Sequence, residues 1–307
     1  RPLRNFLLIL SVPKYKTSSM KLFLITINYN GSKDTIAFAR SLNQQTDPDF
    51  SLIIIDNASI PEELIAVEQL RNLPFVNLVP SETNLGFSGG NNVGIRKALQ
   101  QDADWVLLIN NDTHVESSFI LCLKQGLKER QGIVGVPLQK NERVAYAGNV
   151  AWLKPTLLHQ YEPLKNGINH YAIGAGLAIH QGVFGKIGFL DERYFLYFED
   201  ADFTLTARKA GISISFLTEP KIHHQISQST DKLGSPLLLR YHYRNMFLFN
   251  QKHAPAHIKI LLPLWVFLGI VKQTLKLIFL PSERPESKAI ITGIKDYVMG
   301  KFGKLHA

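Results

Sequence analysis

Four short apolar runs, at 22–27, 51–55, 76–79 and 105–109, alternate with stretches of helical spacing. This alternation constrains the fold more than any other feature, because it is the pattern of a mostly parallel sheet with helices on both faces. The runs are apolar at successive positions and rich in β-branched residues, as strands buried on both faces are. Residues 34–45 and 61–73 have helical spacing, and the second stretch opens on Pro61 with Glu62 and Glu63 in its first turn. A further helix over 89–100 opens from a glycine-rich loop. In open α/β sheets ligands bind outside the carboxyl ends of the strands. Here those ends carry Thr26 and Asn28, then Asp56 with Asn57, then Asn110, Asn111 and Asp112. Asn and Asp favour turns in any protein, yet three such ends on one rim make a candidate site.

Beyond Pro137 the pattern loosens. Residues 171–180 read as a strand broken by Gly174 and Gly176, residues 192–210 turn from aromatic and acidic to helical, 212–216 is a strand and 237–250 a helix. Residues 1–19 are expected to be a flexible leader, since the apolar run at 6–10 is too short for a membrane span. Residues 20–250 form the α/β domain and residues 251–307 a helical, basic and apolar, membrane-associating region. Within 258–280, Lys259, Pro263, Lys272 and Lys276 interrupt the apolar sequence, leaving 12 residues as the longest uncharged stretch. A spanning helix needs about 20, so the expectation is an interfacial helix with basic anchors. The composition of the 307 residues, 45% hydrophobic and 19% charged, allows a sizeable core and argues against disorder. A single cysteine, Cys122, excludes an internal disulfide and a Cys-rich zinc site and fits a reducing compartment. A net charge of +9 suits phosphate-bearing partners. A nucleic-acid partner explains that charge but not the acids along one rim, so none is expected.

Five segments carry chemistry. Asp56, at a strand end, can accept a hydrogen bond from the imide N–H of uracil or thymine. The segment 84–92, Asn-Leu-Gly-Phe-Ser-Gly-Gly-Asn-Asn, lets backbone approach a ligand ahead of a helix N-terminus, without the spacing of a P-loop or a dinucleotide fingerprint. Asp112 can supply a carboxylate to a divalent cation already bound to a diphosphate, with Asn111 beside it. Glu199, Asp200 and Asp202 stand among aromatic residues. Such neighbours desolvate a carboxylate and make it a better base. His223 and His224 follow a strand, and an imidazole from either can complete a metal site with Asp112. The HExxH spacing of a zinc hydrolase is absent.

In this order and spacing, with Gly188-Phe189-Leu190-Asp191-Glu192 and Arg208 with Gly211, these segments resemble glycosyltransferase family 2, in particular its rhamnosyltransferase-like and galactofuranosyltransferase-like branch. The resemblance covers residues 22–250. It implies a GT-A-type mostly parallel sheet with a C-terminal helical appendage, and inverting transfer from a dTDP- or UDP-sugar, with rhamnose the first expectation. The acceptor it implies is a hydroxyl of a saccharide or lipid-linked saccharide, in bacterial surface polysaccharide synthesis on the cytoplasmic face of the cell membrane. It also implies roles: Asp200 as general base; Thr26, Asn28, Asp56, Asn84, Asn111, Asp112 and Arg244 on the donor; Glu199 and Gly176 on the acceptor side; Asp112 and His224 on Mg²⁺ or Mn²⁺. The first acid of the family's DxD-like motif is replaced by Asn110 here. An inactive nucleotide-sugar binding module and a nucleotidyltransferase are the competing readings.

Overall fold

The structure is a computed structural model, and it describes residues 20–154, 156–163, 169–224 and 236–305. The expected leader at 1–19 lies outside the described residues. The first half runs β1 (Leu22–Asn28), α1 (Ser32–Leu42), β2 (Ser51–Asp56), α2 (Pro61–Glu68), β3 (Val76–Pro80), α3 (Gly86–Leu99) and β4 (Trp105–Ile109). The second half adds β5 (Thr113–His114), α4 (Phe119–Leu127), β6 (Ile133–Gly135), β7 (Leu138–Lys140), β8 (Arg143–Ala145), β9 (Ala147–Asn149), β10 (Leu158–Gln160), β11 (His170–Tyr171), β12 (Gly176–His180) and α5 (Gln181–Ile187). It closes with α6 (Glu199–Lys209), β13 (Ile214–Phe216), β14 (Ile222–His224), α7 (Pro236–His253), α8 (Ala256–Phe279) and α9 (Arg284–Val298).

The central sheet has the order β13-β6-β12-β4-β1-β2-β3. Its β3, β2, β1 and β4 are parallel, β12 is antiparallel to both neighbours, and β13 is parallel to β6. The two-residue period of a strand sends alternate side chains to opposite faces. Leu24, Leu52, Ile54, Leu107 and Ile109 pack on one face with Phe38 of α1 and Phe119 of α4. Ile25, Ile53, Ile55, Val106 and Leu108 pack on the other with Ile95 of α3 and Phe203 of α6. Strands β1, β2 and β4 are therefore apolar at successive positions, because neither of their faces is left to water.

Because β1, β2 and β4 run in one direction, their C-terminal ends share a rim. Antiparallel β12 brings its first residue, Gly176, to the same rim, opposite Ile109. The stretch read as one broken strand, 171–180, is two: Tyr171 ends β11 in a small β10-β9-β11 sheet, and the chain re-enters the central sheet at Gly176. Helix α3 begins at Gly86, and two of its glycines, Gly90 and Gly94, face the sheet. A Cβ at Gly90 would lie 2.9 Å from Ile27 and one at Gly94 would lie 2.5 Å from Ile25. These two glycines let the helix approach the strands.

The C-terminal helices share a third core with α6 and the turn before it. Tyr194, Phe198 and Leu205 pack with Met246, Phe249, Leu262 and Ile294. Helix α7 runs on past position 250, the expected edge of the α/β domain. Helix α8 is unbroken through Pro263, Lys272 and Lys276, and it is long and apolar enough, by length and composition, to cross a membrane. Its lysines interrupt the apolar sequence without breaking the helix. Leu262 and Gln273 are its buried residues, whereas Ile260, Leu264, Phe267, Val271, Leu275 and Ile278 are exposed.

Candidate active site

Asn28 knits the ends of β1 and β2. Its Nδ2 donates to Asp56 Oδ1 at 2.7 Å and to Ser59 Oγ at 3.1 Å, while its Oδ1 accepts from the Thr35 hydroxyl at 2.8 Å. Asp56 Oδ2 accepts from the Ser59 amide at 3.1 Å, so both carboxylate oxygens hold the turn and keep one lone pair each. The Thr26 hydroxyl is buried with no hydrogen-bond partner among the described residues. Asn57, noted at the strand end but given no role of its own, links this turn to the next. Its Nδ2 donates to Asn84 Oδ1 at 3.0 Å and to the Gly86 carbonyl at 3.1 Å, and its Oδ1 accepts from the Leu85 amide at 2.9 Å. Asn84 therefore pins the start of α3 and faces Asn57. The signal for Asn57 was its place beside Asp56, in a turn whose backbone needs more partners than one carboxylate supplies.

The Asn111 amide donates to the Thr35 hydroxyl at 2.9 Å, tying the end of β4 to α1. One residue on, Asp112 Oδ1 is buried and accepts no hydrogen bond among the described residues. His224 Nε2 lies 3.4 Å from it, brought there by the antiparallel pairing of His224 with Thr113. Neighbouring residues on a strand point to opposite faces. His223 accordingly turns away, stacking on His114 at 4.7 Å with Nε2 3.5 Å from Glu116. An orphaned buried carboxylate oxygen facing an imidazole nitrogen fits the donor set of a divalent cation. Among the described residues no group of three metal-ligating side chains occurs, so the pair would supply part of a coordination shell, the rest falling to phosphate oxygens and water.

The Asp200 carboxylate caps its own helix from within. Oδ2 accepts from the Gly174 amide at 2.9 Å and Oδ1 from the Ala201 amide at 2.7 Å. Burial outweighs these bonds and pushes its pKa from 3.8 up to about 6. Glu199 is buried with Oε2 unpartnered among the described residues, and burial together with the Asp200 charge holds it well above the usual carboxylate range. Two sequence expectations need correction here. Gly176, expected on the acceptor side, reaches the rim but is buried against Val136, whose carbonyl a Cβ would meet at 2.6 Å. Gly174 is the residue beside Asp200, and a Cβ there would touch Phe87 at 3.2 Å and Asp200 at 3.4 Å. Arg244, expected to meet the donor, is wholly buried. Its guanidinium is taken up by Asn245 Oδ1 and by the carbonyls of Arg193, Tyr194 and Gly303, which leaves none of its nitrogens presented to a ligand.

A mostly parallel central sheet flanked by helices, with polar residues at its strand ends, is the architecture of the GT-A class. The Glycosyl transferase family 2 model matches residues 23–188, more than half of the chain, and the protein belongs to that family and is a glycosyltransferase. It is 28% identical over 244 residues to the low-salt glycan biosynthesis hexosyltransferase Agl10 of Haloferax volcanii, covering 74% of each chain. It is 22% identical over 262 residues to the N-acetylglucosaminyl-diphospho-decaprenol L-rhamnosyltransferase of Mycobacterium tuberculosis, covering 75% of this chain and 84% of that one. In fold it is similar to the mannosyltransferase PcManGT of Pyrobaculum calidifontis, solved with GDP-Man and Mn²⁺, with a TM-score of 0.54, 14% identity, and 93% and 89% of the two chains covered.

Proposed function

We propose that this protein is an inverting, metal-dependent glycosyltransferase that moves a sugar, first of all rhamnose, from a dTDP- or UDP-linked donor to a hydroxyl of a lipid-linked saccharide. Asp200 is the general base. It takes the acceptor hydroxyl proton as the oxygen attacks the anomeric carbon from the face opposite the leaving group. The bond to the diphosphate breaks on the other side, the nucleoside diphosphate departs, and configuration inverts. The observation that carries this reading is the Asp200 carboxylate: held by two backbone amides and poised near 6, it is ionised at neutral pH yet basic enough to accept a proton.

Asp112 and His224 would hold Mg²⁺ or Mn²⁺, which when bound offsets the charge growing on the diphosphate. Asp56, with Thr26 and Asn28 beside it, reads the imide N–H shared by uracil and thymine through its remaining lone pairs. Asn84 and Asn111 frame the space for the phosphates. Glu199, protonated, donates toward the acceptor. The lipid-linked acceptor is supported by the named activity of the mycobacterial relative and by α8, whose exposed apolar face is suited to the inner face of a bacterial membrane.

The test is turnover of a panel of dTDP- and UDP-sugars by purified protein with Mn²⁺, Mg²⁺ or EDTA. Transfer or slow donor hydrolysis is expected with metal, and Asp200→Asn is expected to lose roughly 10²–10⁴-fold in kcat. Near-normal turnover by Asp200→Asn at saturating donor removes Asp200 from the reaction.

A further inference from the structure

The turn at 193–198 leads directly into Glu199 and Asp200. Three of its bulky residues, Phe195, Tyr197 and Phe198, have φ of 62°, 72° and 76°. This is a left-handed conformation that large L side chains rarely adopt and that persists only where the surroundings impose it. Helix α7 imposes it through two wholly buried neighbours. Asn245 Nδ2 donates to the carbonyls of Tyr194, Leu196 and Tyr197 at 2.9, 2.7 and 3.0 Å. Arg244 Nη2 donates to those of Arg193 and Tyr194 at 3.1 and 2.9 Å. The pair is locked together by the bond from Arg244 Nε to Asn245 Oδ1 at 2.9 Å, and the guanidinium lies 5.0 Å from the Tyr241 ring.

The other side of the turn reaches the donor loop. The Phe195 carbonyl accepts from the Phe87 amide at 2.7 Å, and its ring stacks on Tyr241 at 5.3 Å. Beyond the turn, Asp202 on α6 accepts from the Tyr194 hydroxyl at 2.9 Å and from Lys252 at 2.7 Å, with His253 Nε2 also 2.7 Å away. Five consecutive backbone carbonyls, from Arg193 to Tyr197, are thus held from outside a strained segment of six residues, and two residues beyond it the Asp200 carboxylate accepts from the Gly174 amide.

We infer that Arg244 and Asn245 are positioning residues, a carbonyl-binding template on α7 that holds the 193–198 turn in its left-handed course and so places the Asp200 carboxylate. The inference rests on Asp200 acting as the base. Neither residue touches substrate. The backbone they satisfy belongs to the segment that delivers Asp200, so its relaxation displaces the carboxylate before it disturbs the nucleotide end of the rim.

The test compares Asn245→Ala, Asn245→Ser and Asp200→Asn in the full chain, using the nucleotide sugar that the wild type turns over best. Asn245→Ala is expected to lower kcat by roughly 10–10²-fold, the scale of a small misplacement of a reacting group. Donor KM and the thermal shift with UDP and dTDP should stay within about threefold of wild type in effective affinity. Asn245→Ser keeps one donor and is expected to recover part of the lost kcat. If Asn245→Ala lowers the melting temperature but keeps the wild-type kcat, the pair is purely structural and the inference falls. Should Asn245→Ala not fold, Asn245→Ser is read for the same outcomes, with a wild-type kcat again overturning the proposal. If Asp200→Asn itself turns over normally, the base assignment fails instead, whatever the Asn245 variants do.

Discussion

At the residue scale, the proposed chemistry depends on two adjacent carboxylates in unlike surroundings. Asp200 has amide donors and titrates near 6, whereas Glu199 has a buried oxygen without a partner and holds its proton higher. A folded-state pKa above the usual 3.8 means that the native protein keeps a proton the unfolded chain releases. The wild type therefore loses stability from this group as pH rises from about 4 to about 6, and keeps that deficit above 6. Asp200→Asn carries no such charge. Its melting temperature relative to wild type is expected to climb over the same interval and then level off, and a difference flat from pH 4 to 7 would contradict the buried-carboxylate account. Glu199→Gln copies the neutral, protonated form. It is expected to cost less than about tenfold in kcat, or ~1.4 kcal/mol, in kinetics run beside Asp200→Asn, and a loss as large as that of Asp200→Asn would show that Glu199 works ionised.

At the scale of elements, α8 is the unusual piece. Its inner side packs on α9 and α7, and its outer side presents Leu264, Phe267, Val271 and Leu275 with no acidic residue among them. Removing the whole C-terminal region would also strip the core that supports Tyr194 and Phe198, so point changes are the cleaner probe. Leu264→Glu with Phe267→Glu is expected to abolish flotation with anionic liposomes and to leave the melting temperature nearly unchanged, since both side chains already face solvent. Each apolar side chain that enters a bilayer contributes roughly 1.5–3 kcal/mol, so losing two is enough to release a peripheral protein. Undiminished flotation of the double variant would exclude this face as the contact.

At the scale of the whole molecule, a ligand that binds only the folded state raises its stability by about 2.7 kcal/mol at a hundredfold excess over Kd. UDP or dTDP is expected to raise the melting temperature with Mn²⁺ present and not with EDTA, and Asp112→Ala is expected to lose that metal dependence. An equal shift with EDTA would place nucleotide binding outside the Asp112–His224 pair. The alternating strands and helices, the polar strand ends and the acidic cluster in the first turn of α6 were legible in the sequence, because periodicity and turn chemistry are local properties that each segment carries by itself. The histidine pair was legible too, but His224 was favoured over His223 only through the resemblance; what turns His224 toward Asp112 is the pairing of β14 with β5. Arg244 shows the same limit. Its charge was visible and suggested a phosphate, but its partners are backbone carbonyls some 50 residues away, and every residue has a carbonyl, so no side-chain pattern marks the ones that α7 will reach. Local sequence determined the elements and the kind of chemistry on the rim. Only tertiary packing decided which residues face the rim and which hold it in place: strand pairing turned His224 toward Asp112, and the packing of α7 against the turn buried Arg244.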